Sequence, residues 1–166
     1  MKIQTPFQGA LPDKYGKQTP ADFRIEGIPA CSFPFELADL PNGTKDLAIT
    51  FIDYDAVPVT GFPFIHWIAT GFGPVTVVPE DISQTSQTLL QGQNSFGSKF
   101  YPDYGKDIVE HYGGPMPPNK DHDYTLTVFA LDRPLELVNG FYLNDLLRAM
   151  EGHVLDQAQI QVLAKA

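Results

Sequence analysis

The chain has 166 residues, enough for one domain with a substantial core and too few for two. Hydrophobic residues at 43%, charged residues at 19%, and 12 Phe with 7 Tyr exclude a disordered or coiled-coil chain, which would be charge-rich and poor in aromatics. A net charge of −9 repels nucleic acid and anionic lipid at long range, yet it leaves room for a local anion site made of backbone amides and histidine.

The 14 Gly and 15 Pro demand many turns and argue against a helical bundle. Up to Pro41, short apolar pieces mix with Pro and Gly, and the alternation across Asp22, Phe23, Arg24, Ile25 and Glu26 predicts edge strands and loops. Pro41-Asn42-Gly43-Thr44 then predicts a turn into a central strand over Leu47–Ile52. Two further core strands are predicted over Phe64–Ala69 and Tyr124–Leu131. From Gly71 to Asp121 no helical period is sustained, and a connection that long inside one domain is usually functional. Late in the chain, Asn144 is the expected cap of a helix with Leu146, Leu147 and Met150 on one face, ended by Gly152. A short helix over His153–Gln157 and a closing strand over Gln159–Leu163 complete the prediction. The fold expected is a single, mainly β domain over residues 1–166. Cys31 has no partner for a disulfide, and the N-terminus has no apolar stretch resembling an export signal, so a cytoplasmic protein is expected.

Three stretches concentrate the reactive groups. Asp53-Tyr54-Asp55 directly follows the central strand, and alternate positions in extended chain point the same way, so the two carboxylates suit one cavity or, equally, a turn. His66-Trp67 lies thirteen positions beyond Asp53, within reach of a hairpin; a carboxylate neighbour would stabilise the protonated imidazole and make it an anion donor. The third stretch, Gly113-Gly114-Pro115-Met116-Pro117-Pro118 with His122-Asp123-Tyr124, reads as a rigid ligand-facing loop or as a plain bend before a strand.

These motifs, in this order, resemble those of the phosphatidylethanolamine-binding protein family, in its bacterial Raf kinase inhibitor-like branch. Asp53 to Pro58 echoes the family's Asp-Pro-Asp-Ala-Pro, His66-Trp67 its His-Trp, and Gly114 to Pro118 with His122 to Tyr124 its Gly-Pro-x-Pro-Pro and His-Arg-Tyr. Asn94-Ser95-Phe96-Gly97 and Met150 to Leu155 extend the likeness. Tyr54, Val57 and Asp123 depart from the pattern, the last replacing an arginine.

The resemblance implies antiparallel β-sheets with a few peripheral and C-terminal helices. It also implies a small pocket for phosphate-like or carboxylate anions, whether a phospholipid head group or a phosphorylated segment of a partner protein. Asp53, His66, Gly114, Pro115, His122 and Tyr124 carry over as contact residues, and Asp55 as the second carboxylate, mainly shaping the turn. The expected function is non-enzymatic binding, with regulation of a partner kinase or protease beside it, no cofactor and no nucleic acid. Exposed aromatics would suit a homodimer. The competing readings are a hydrolase using Asp53 with His66 or His122, and a metal site at Asp53, Asp55, His66 and His122. No Gly-x-Ser-x-Gly elbow, phosphate loop or His-Glu-x-x-His pattern supports either.

Overall fold

The computed structural model describes residues 1–166. In chain order its strands are β1 (Lys2–Gln4), β2 (Arg24–Ile25), β3 (Ile28–Pro29), β4 (Phe35–Ala38), β5 (Asp46–Asp53), β6 (Phe64–Thr70), β7 (Val77–Val78), β8 (Leu90–Gln91), β9 (His122–Leu131) and β10 (Val154–Ala164). The helices are α1 (Val57–Thr60), α2 (Ile82–Thr85), α3 (Lys106–Val109) and α4 (Leu143–Met150). Strand outweighs helix, 31% to 17% with the 3-10 turns included, as the sequence pattern requires.

An antiparallel five-stranded sheet, ordered β10-β9-β5-β6-β8, faces a three-stranded sheet ordered β1-β4-β7. Strand β5 is central and all eight of its residues are buried, because both of its faces are covered. Leu47, Ile49 and Phe51 point to the small sheet and pack with Phe35, Leu37, Trp67, Leu126 and Val128. Ala48 points the other way, where Ile68 and Leu131 meet Leu146 and Met150 of α4. Burial on both faces is why the strand reads as a continuous apolar run, and each large side chain so buried contributes about 1.5–3 kcal/mol. No helix is long and apolar enough to cross a membrane.

The structure departs from the sequence reading at four places. The chain from Gly71 to Asp121 is not one irregular loop. It carries β7, α2, β8, α3 and a 3-10 turn at Ser95–Gly97, pieces of two to four residues that are too short to show a period. Tertiary hydrogen bonds hold them: buried Asn94 accepts from the Phe96 amide and donates to the carbonyls of Ile108 and His111. Helix α4 is capped at Tyr142, whose amide donates to the Asp145 carboxylate at 3.0 Å. Asn144 lies inside the helix and only donates to Asp145. Over His153–Gln157 there is no helix, because Gly152, at φ 76°, turns the chain back and β10 starts at Val154, paired with Leu131 of β9. The free edge of β9 outweighs a weak local propensity there. Finally, the alternation at Asp22–Glu26 becomes a 3-10 turn, Ala21–Phe23, followed by the two-residue β2.

Asp46 is a buried carboxylate at the edge of the apolar core. It is 2% exposed and accepts from the amides of Leu47, Gly71 and Gly73 and the Thr70 hydroxyl, joining the start of β5 to the end of β6. Asp46→Ala should cost about 3 kcal/mol, because it leaves the buried Leu47 amide and the half-buried Gly71 and Gly73 amides without their acceptor at once. Urea unfolding checks this; a loss below about 1 kcal/mol would mean that the loop after β6 is held by other contacts.

Candidate ligand-binding site

Register places the site at one end of the large sheet. Asp53, the last residue of β5, lies opposite Tyr124 of β9 and Phe64 of β6, so the three side chains share one face. His122 lies two positions before Tyr124 on the same strand and therefore joins that face. His66 joins it through a β-bulge. Phe51 pairs with Trp67 but Ile52 with Ile65, which leaves His66 as the extra residue. In a regular strand His66 and Trp67 would point to opposite faces. Here Trp67 enters the core between the sheets while His66 turns to the cavity, 5.0 Å between ring centroids from Tyr124.

The cavity has a volume of about 180 Å³. Asp53, His66, His122 and Tyr124 form its polar floor. Phe64, Phe96, Tyr101, Met116 and the Pro117-Pro118 pair form apolar walls, and α1 contributes Val59 and Thr60. Neither Lys nor Arg lines it.

His66, 4% exposed, is oriented from behind. Its Nδ1 donates to the Gly113 carbonyl at 2.5 Å, and its own carbonyl accepts from the Gly113 amide at 3.0 Å. Because a carbonyl only accepts, Nδ1 carries the hydrogen and Nε2 keeps its lone pair. Burial pushes the imidazole down to about 4, against the opposing pull of the Gly113 carbonyl and Asp53. The protonated His66 expected from its carboxylate neighbour is therefore corrected: desolvation wins, and the ring is a neutral acceptor at ordinary pH.

Asp53 is 3% exposed; Oδ1 accepts from the Ala56 amide at 3.0 Å and Oδ2 faces His122 Nδ1 at 2.8 Å. His122 Nε2 faces Asn119 Oδ1 at 2.9 Å. Burial, followed by the nearby Asp53 charge, raises the Tyr124 hydroxyl well above the usual tyrosine range, which keeps it a neutral donor.

The residues predicted from sequence divide into two groups. Asp53, His66, His122 and Tyr124 line one cavity. Asp55, Gly114 and Pro115 do not. Asp55 turns away, its Oδ2 accepting from the Asp123 amide, so it ties the turn after β5 to the start of β9. The Gly114 amide, expected to face an anion, donates to the Pro29 carbonyl at 2.7 Å. Glycine is needed there for packing, since a Cβ would sit 2.6 Å from the Tyr15 carbonyl oxygen. Pro115 is buried with its carbonyl close to Gly16. With Asp55 elsewhere, no three His, Cys, Asp or Glu side chains gather as a metal site. Neither the apolar wall residues nor Gly113 or Asn119 are among the contacts assigned from sequence, although the motif stretches contain Phe96, Gly113, Met116, Pro117 and Pro118. Only the Gly113-Gly114 pair left a signal, as a place where backbone approaches closely.

Imidazole resonances followed by NMR from pH 8 to 3.5 should show His66 neutral until near pH 4. A His66 titrating near 6.5 would contradict its burial behind Gly113.

With this geometry in place, comparison with known proteins is direct. The family model of the phosphatidylethanolamine-binding proteins matches residues 4–165. The uncharacterized protein YxkA of Bacillus subtilis (strain 168) is 45% identical over 167 residues, covering 99% of each chain. Among solved structures, a phosphatidylethanolamine-binding protein homolog from Chlamydia trachomatis is similar with a TM-score of 0.76 and 26% identity, over 99% of this chain and 97% of that one. Escherichia coli YbcL, 22% identical with a TM-score of 0.74 over 99% and 98% of the two chains, shares the fold. A match across nearly the whole chain, with the motif residues meeting at one cavity, means that this chain belongs to the phosphatidylethanolamine-binding protein family.

Proposed function

We propose that the protein binds a small phosphate-like or carboxylate group at the Asp53-His66-His122-Tyr124 cavity, and that the group enters carrying a proton. One observation carries this reading: the polar floor holds an Asp carboxylate and a neutral imidazole acceptor, and no Lys or Arg lines the walls. A dianion meets Asp53 with no full cation from lysine or arginine to offset the repulsion. A monoprotonated phosphate or a carboxylic acid instead donates its hydrogen to His66 Nε2 or Asp53 and accepts from the Tyr124 hydroxyl. The apolar lip, where Val59 is 46% exposed, suits an apolar group attached to the acid.

Binding without turnover fits the same inventory. No Ser or Cys lines the cavity, and the one lining Thr, Thr60, has its hydroxyl engaged with the carbonyls of Ala56 and Phe62. The Asp53-His122 couple therefore has no free serine, threonine or cysteine side chain to activate.

Phosphate loses its second proton near pH 6, so lowering the pH from 8 to 6 enlarges the monoanion fraction. Affinity for a phosphomonoester, read by calorimetry, should rise over that interval. His66→Ala should weaken binding by about 1 kcal/mol through loss of an acceptor, yet keep the trend, because His66 ionises only near 4. Asp53→Asn should improve binding at pH 8. An affinity that is flat or falls toward pH 6 would overturn the reading, as would sustained ester hydrolysis abolished by His66→Ala.

A further inference from the structure

We propose that the Asn119 side chain competes with the bound acid for His122 and so sets the affinity of the cavity; this rests on the function proposed above. His122 is 1% exposed and lines the cavity, and an oxygen faces each of its ring nitrogens: Asp53 Oδ2 at 2.8 Å on Nδ1 and Asn119 Oδ1 at 2.9 Å on Nε2. Each ring N–H serves one acceptor well. With an oxygen facing each nitrogen, both contacts are donor-to-acceptor bonds in the ring that carries a hydrogen on each nitrogen, and while Asn119 is seated that ring offers the cavity no free donor.

Asn119 has the properties of a displaceable group. It is exposed and lies in the bend between the Pro117-Pro118 wall and β9, three residues before the ring it touches. The contact with His122 is its side chain's one hydrogen bond. When it swings out, its amide is rehydrated at little cost because it already borders solvent. The acid oxygen then takes its place on Nε2. A neutral acceptor is exchanged for a charged one, which makes the stronger bond. The carboxamide oxygen is a neutral counterpart of a carboxylate or phosphoryl oxygen. It keeps a buried N–H satisfied and makes any ligand compete for it. The resulting rule is specific to this position: shortening Asn119 strengthens acid binding, and giving it a charge blocks binding.

The test is calorimetry with inorganic phosphate at pH 6.5, with thermal unfolding measured alongside. Asn119→Ala should bind phosphate roughly 2- to 10-fold more tightly than the wild type, the scale of one neutral hydrogen bond. Asn119→Ser, too short to reach His122, should repeat the gain. Asn119→Asp should bind at least about tenfold more weakly, because a tethered carboxylate then holds Nε2. The ¹⁵N shift of His122 Nε2 should move on phosphate addition, a response that a merely structural asparagine would not produce. Phosphate binding by the wild type that Asn119→Ala leaves unchanged or weakens overturns this inference alone. Absence of phosphate binding in the wild type and in every variant overturns the proposed function with it.

Discussion

His66 and Gly113 exchange two hydrogen bonds, imidazole to carbonyl and amide to carbonyl, and the site is built outward from that exchange. It fixes the bulge in β6 that brings His66 to the same face as Trp67, and it fixes the tautomer that leaves Nε2 as an acceptor. It also anchors the proline loop, since the next residue, Gly114, is bound to the Pro29 carbonyl and is packed too closely for a side chain. One backbone segment thus orients the imidazole and positions the wall opposite it. The two glycines, which in the sequence suggest a loop that touches ligand, act from behind the ligand space.

Electrostatics at the cavity follow from the same packing. Burial strips His66 of water and holds it neutral, and the Asp53 charge is answered only by the Ala56 amide, His122 and the adjacent Tyr124 hydroxyl. Across a chain of net charge −9, such a site has little long-range pull on an anion. Selectivity comes from hydrogen-bond complementarity at short range. A group offering both a hydrogen and an oxygen fits better than one that offers charge alone.

Strands β5, β6 and β9 of the large sheet were legible because β5 and β6 are buried on both faces and β9 alternates apolar and polar residues over Tyr124–Val128, patterns long enough to read without a structure. Position within them was harder. The adjacent pair His66-Trp67 looks like two opposite faces, and only the bulge brings both to one side. The turn residues misled in direction: Asp55 reads as a partner of Asp53, yet its carboxylate serves the Asp123 amide. The motif histidines and Tyr124 were recoverable because their residue types are tied to chemistry. The wall roles of Phe96 and Met116 were not, although both sit in motif stretches, and Tyr101 carries no local signature at all, because the walls come from separate loops. Reading the first part of β10 as a helix had the same origin: the partner that makes Val154–Gln157 a strand lies more than twenty positions away, on β9.

The central claim is that the acid enters protonated, and the ³¹P resonance of a bound phosphomonoester reports its protonation directly. Followed from pH 8 to 5 at saturating ligand, the bound phosphate should titrate above its free value of about 6, staying the monoanion where the free ester is mostly dianion. A bound resonance that keeps the dianion shift below pH 6 would mean that the cavity selects charge, and would contradict this account of its floor.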